Sequence, residues 1–109
     1  MSDVFFALAE PRRRSIIEIL AAGGEMPATR IAKRFKVTPS AISQHLKILK
    51  EAGLVHMRKR AQQRLYHLDP AGIEELEKWA QQLADKWEKR FARLDKILES
   101  ERKEKSHGK

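Results

Sequence analysis

The chain has 109 residues, 41% of them apolar, with no cysteine and a formal net charge of +8. That length suits one domain with a small core; the missing thiols exclude disulfides and thiolate metal sites, and the lack of an ~18-residue apolar run or a basic leader points to a soluble cytoplasmic protein with no membrane partner. The surplus of positive charge sits between residues 27 and 69, where ten Lys and Arg accompany two acids, Glu51 and Asp69, and such a block marks a face built for a polyanion.

Val4, Phe5, Leu8 and Ala9 recur at helical spacing, and Glu10-Pro11 interrupts the line because proline fits the first turn of a new helix. The second helix, Pro11 to Ala21, draws its buried face from Ile16, Ile17, Ile19 and Leu20. Arg12, Arg13 and Arg14 oppose its macrodipole, which leaves them as a solvated basic turn or as partners of a phosphate or an acidic side chain. Gly23-Gly24 ends that helix. Ala28 to Phe35 forms another, with Ile31, Ala32 and Phe35 inward, and Lys36-Val37 turns the chain into Thr38.

Residues Thr38 to Val55, T-P-S-A-I-S-Q-H-L-K-I-L-K-E-A-G-L-V, combine a cap, an apolar spine and a polar outer face. Thr38 caps the first turn, Pro39 suits the first helical position, and Gly53 can turn left-handed to stop the helix. At ~100° per residue Ile42, Leu46 and Leu49 face the core, while Ser40, Ser43, Gln44 and Lys47 fall on the far side. An ordinary amphipathic helix would leave such a face to water. On a helix that enters the major groove, the same hydroxyls, amide and cation reach phosphates and base edges. His45 sits at the edge of the buried stripe, in a structural or phosphate-contacting role.

Leu54 to Lys59 and Arg64 to Leu68 read as a hairpin, a wing able to follow the phosphate backbone of double-stranded DNA with Arg58, Lys59, Arg60, Gln62 and Arg64. Its connection, Arg60-Ala61-Gln62-Gln63, has no glycine, so a loose four-residue loop is expected over a tight turn. Asp69-Pro70 then starts a helix of about 30 residues, roughly 45 Å. Its apolar seam runs through Ile73, Leu76, Ala80, Leu83, Trp87, Phe91, Leu94 and Leu98. A domain this small cannot cover that stripe, so a second chain is expected to. Residues 101–109 carry no apolar side chain and read as a charged flexible tail after a domain spanning 1–100.

The runs F-F-A-L-A-E-P-R-R-R-S-I-I-E-I-L, R-I-A-K-R-F-K-V-T-P-S-A-I-S-Q-H-L-K-I-L-K-E-A-G-L-V and R-K-R-A-Q-Q-R-L-Y-H-L-D-P together resemble the ArsR family of winged-helix repressors. The resemblance implies a mainly α fold with a small β-hairpin and a long C-terminal dimerisation helix, acting as an operator-binding repressor. It also implies a symmetric dimer through the first and last helices, which places Val4, Phe5 and Leu8 with Leu76, Leu83, Trp87, Phe91 and Leu94 at the interface. Two departures stand out. The wing tip lacks the usual glycine, and the cysteine pairs or aspartate and histidine pairs of the family's metal sensors are missing, so no metal or other cofactor is expected.

His56 and His67 lie on the two strands of the hairpin and can face each other, two ligands where a closed zinc site needs four. No phosphate loop, flanked nucleophile or positioned carboxylate pair suggests an enzyme. The leading reading is a homodimeric DNA-binding repressor on an inverted repeat, with its effector unknown. Two others stay open: a winged-helix module that binds another protein, and a repressor released by an apolar small molecule beside Trp79, Trp87 and Phe91.

Overall fold

The computed structural model describes residues 2–107, in the order α1 (Ser2–Ala9), α2 (Pro11–Gly23), β1 (Met26–Pro27), α3 (Ala28–Phe35), α4 (Pro39–Glu51), β2 (Val55–Arg60), β3 (Gln63–Leu68) and α5 (Pro70–His107). The chain divides into two compact units, one ending at Leu76 and the other beginning at Glu77.

In the first unit the helices pack around one core. Ile16 and Leu20 of α2, Ile31 and Ala32 of α3, and Ile42, Leu46 and Leu49 of α4 are buried together with Val4 and Ala7 of α1. Leu54, Val55 and Tyr66 close it from the sheet side. The spacing of these residues is that of one helical face per segment, so burying each face requires the others. Of the four candidates on α2, Ile16 and Leu20 are buried, while Ile17 and Ile19 pack at the core's margin.

The sheet has three antiparallel strands in the order β1-β3-β2, so the expected hairpin gains a strand. Met26 pairs with Tyr66 and Pro27 with Leu65. Two residues give no periodicity to read, and Pro27 is tolerated because β1 lies at an edge. Gly53 turns the chain out of α4 at φ 77°, the left-handed stop expected of it. Gly72, in the first turn of α5, passes so close to that bend that a methyl group there would collide with the Gly53 carbonyl oxygen.

The second unit is the continuation of α5. The helix runs to His107, past residue 100 where the apolar pattern stops, because Glu, Arg and Lys are strong helix formers even where no apolar face remains. Gly108 and Lys109 of the expected tail lie outside the described residues. Within this unit Leu83, Trp87, Phe91, Leu94, Ile97 and Leu98 are all exposed, and the rings of Trp87 and Phe91 stand 5.9 Å apart.

Candidate nucleic-acid interface

Helix α4 forms as its sequence dictates. Thr38 Oγ1 accepts a hydrogen bond from the Ala41 N–H at 3.2 Å, Pro39 opens the helix, and Ile42, Leu46 and Leu49 are fully buried. That seating turns Ser40, Ser43, Gln44 and Lys47 to solvent, where they line an open groove of about 350 Å³ between α4 and the wing. Lys50, Met57, Arg64 and Tyr66 complete its walls. Lys50, Met57 and Tyr66 were not among the expected residues. Lys50 follows Lys47 by three positions on the same helical face, and Tyr66 follows Arg64 by two on a strand, so both periodicities were available.

The wing departs from expectation in its turn and in its cations. Arg60 pairs with Gln63, which leaves a two-residue turn, Ala61-Gln62, in place of the four-residue loop. Ala61 has φ 55°, a left-handed conformation that glycine usually supplies. Pairing proceeds without interruption along both strands, and this holds the alanine in place.

The strand pleat then divides the basic residues. Met57 opposes Tyr66 and Lys59 opposes Arg64, so these four share the face that meets the α4 groove. Arg58 and Arg60 point to the other face. There Arg58 donates through Nε and Nη2 to the two carboxylate oxygens of Glu25 at 2.7 and 2.6 Å, a bidentate pair. These bonds hold the Glu25 carboxyl below its ordinary pKa against the opposing pull of partial burial, and the charges of Arg58 and His67 add to the lowering. Arg58 therefore fastens the wing to the segment before β1, and of the expected contacts Lys59 and Arg64 remain on the α4 side. Gln62 is exposed at the tip.

The arginines after Pro11 divide: Arg12 and Arg14 are exposed, as a basic turn would leave them, while Arg13 is buried. Arg13 donates to the carbonyls of Phe6 and Ala7, and Arg14 to those of Leu8 and Ala9. These are the four carbonyls that the end of α1 leaves without helical partners, and cations there also meet the favourable end of the α1 dipole. Arg12 lies over the Phe35 ring, 5.8 Å from its centroid. Glu10 caps α2 by accepting from the Arg13 N–H at 3.0 Å. His45 is half-buried as expected, yet it turns toward Arg13 and Glu10 and away from the groove, with Nδ1 3.4 Å from Arg13 Nη1 and 3.9 Å from Glu10 Oε2.

His56 and His67 do face each other, with ring centroids 5.5 Å apart. His67 Nδ1 is buried 3.2 Å from Glu25 Oε2 without hydrogen-bond alignment. The expected interface residues also divide. Val4 is buried in its own core and Leu8 and Leu76 pack against it, because α1 and the start of α5 close the first unit. Phe5 and Phe6 on α1, and Leu83, Trp87, Phe91 and Leu94 on α5, stay exposed. Phe6 was missed; it adjoins Phe5 in sequence but falls on a different helical face.

A helix, a short turn, a second helix with a polar outer face and a β-ribbon beside it define a winged helix-turn-helix protein. A family model described as a helix-turn-helix domain matches residues 8–58. The chain is 35% identical over 79 residues to the transcriptional repressor SdpR of Bacillus subtilis, covering 72% of this chain and 87% of that protein. An ArsR-like transcriptional regulator from Rhodococcus sp. RHA1 superposes with a TM-score of 0.76 at 28% identity, covering 91% of this chain and 90% of that one. The solution structure of a homodimeric winged helix-turn-helix DNA-binding domain from Mycobacterium bovis gives a TM-score of 0.64 at 31% identity, with 77% of each chain covered. The chain belongs to the ArsR family of winged helix-turn-helix transcriptional regulators.

Proposed function

We propose that the protein is a cytoplasmic homodimeric repressor that binds an inverted-repeat operator, each protomer laying α4 in the major groove. The observation that carries this reading is the groove in which Ser40, Ser43, Gln44, Lys47 and Lys50 of α4 meet Arg64 of the wing. Gln44 is the base reader, because its amide can donate and accept at once to the N6 and N7 edge of adenine. Lys47, Lys50, Lys59 and Arg64 bind phosphates and set the register. The repressor SdpR and the homodimeric domain from Mycobacterium bovis support the finer parts of this reading by analogy.

The test is binding to fragments of the source genome, then to the retained sequence and to a random duplex over a range of salt. Affinity should fall steeply with salt, and Lys47→Ala should weaken both duplexes alike while reducing the salt slope by about 1. Gln44→Ala should cost ~1–3 kcal/mol on the operator and little on the random duplex. Equal losses on both duplexes for the Gln44 variant would refute base reading by that side chain.

A further inference from the structure

Among the described residues Arg13 is the one charged side chain that is buried, at 7% exposure. It holds the Ala7 and Phe6 carbonyls of α1 at 2.6 and 3.1 Å, and its third hydrogen-bonding nitrogen, Nη1, lies 3.4 Å from His45 Nδ1 on α4. A guanidinium has no lone pair to offer, so in that contact Arg13 donates and His45 Nδ1 accepts, which leaves the proton of the neutral ring on Nε2. One rigid fork thus ties the end of α1 to the middle of α4.

We infer that Arg13 is a positioning residue for operator binding: through His45 it fixes the rotation of α4 about its own axis, and so where Ser43 and Gln44 meet the bases. This rests on the reading of α4 as the helix that enters the operator. The buried contacts of α4, made by Ile42, Leu46 and Leu49, choose which face turns outward, but aliphatic burial sets no sharp angular preference within that choice. A hydrogen bond does carry one. His45 adjoins both Ser43 and Gln44 closely in sequence, and a base contact needs its side chain placed to within about 0.5 Å. Sequence-specific binding is therefore more sensitive to this tie than binding to phosphates, which long flexible cations can adjust to reach.

The experiment compares Arg13→Lys, His45→Leu and His45→Asn in the full chain. Lysine keeps the charge without the fork, leucine removes the acceptor, and asparagine places a carbonyl oxygen where the ring has Nδ1. Dissociation constants for operator and random duplex are measured at one salt concentration, beside the unfolding midpoint and the ¹⁵N spectrum of the His45 ring. Arg13→Lys and His45→Leu should lose about tenfold or more on the operator with the random duplex unchanged, the scale of one lost base contact. His45→Asn should restore discrimination, and the wild-type ring should show an unprotonated Nδ1 that Arg13→Lys perturbs. Should Arg13→Lys fail to fold, the two His45 variants carry the comparison, since that side chain is only half-buried. A His45→Leu protein that discriminates like the wild type, an Asn variant that fails like Leu, equal losses on both duplexes, or a proton on Nδ1 of the neutral ring would each overturn the role. A wild type that shows no sequence preference would instead remove the operator reading, and this role with it.

Discussion

Ala61 and Glu25 show how single residues settle what chain proximity leaves open. The absence of glycine from Arg60-Ala61-Gln62-Gln63 argued for a loose loop, yet strand pairing up to Arg60 and Gln63 forces Ala61 into a left-handed conformation. That conformation costs a residue with a Cβ ~1–2 kcal/mol, part of which a glycine returns through the entropy of its unfolded state. Ala61→Gly should therefore stabilise the protein by about 0.5–1 kcal/mol, read as a higher urea midpoint at unchanged m-value. Glu25 was not singled out, because nothing in sequence connects it to a strand some 30 residues later. Its carboxyl is held below the ordinary value in the folded protein, so its contribution is present above the unfolded-state pKa and disappears as pH falls through the lowered folded value. Unfolding midpoints measured from neutral pH into that acid range should fall less in Glu25→Gln than in the wild type. Parallel curves would show that the Arg58 pair does not stabilise the wing.

At the scale of elements, the legible parts were those whose signals are local. The cap at Thr38, the apolar stripe of α4 and the stop at Gly53 depend on residues within a few turns, and each is found where the pattern puts it. The strand β1 and the split of the wing's cations depend on pairing across the fold. A run such as Arg58-Lys59-Arg60 reads as one basic patch, whereas the pleat sends alternate members to opposite faces. The consequence is measurable: Arg64→Ala should weaken DNA binding and lower its salt dependence, while Arg58→Ala should mainly lower the unfolding midpoint. A larger loss of affinity from the Arg58 variant, with stability unchanged, would return that arginine to the DNA side.

For the whole molecule, the uncovered seam on α5 was evident from its spacing, and it remains uncovered in the single chain from Leu83 to Leu98. Leucines and aromatics in such a row form a contiguous exposed stripe, and monomers rarely leave apolar patches beyond a few hundred Å² open to water. In the proposed dimer a second copy covers it, and binding an inverted repeat would require two α4 helices about one DNA turn, ~34–36 Å, apart. Leu83→Glu with Trp87→Glu should shift the protein to a monomer in sedimentation and abolish tight operator binding, although neither residue lines the α4 groove. A wild-type monomer at micromolar concentration that binds the inverted repeat tightly would remove the dimer from this account. Which apolar residues serve the chain's own core and which are left for a partner could not be read from periodicity, since Val4 and Phe5 are adjacent and meet opposite fates.

Helix α1 has eight residues, too few to persist alone in water, and its last four carbonyls are satisfied by side chains of the helix that follows. The dependence runs both ways. Trimming the chain back to Glu10 would do more than shorten it: a buried guanidinium would lose two of its acceptors and be opened to water, and the core that Val4 and Ala7 help to close would be opened with it. An N-terminal segment that looks dispensable on a diagram is thus the solvent of Arg13, the set of dipoles that takes the place of water around a charge the fold has drawn inside.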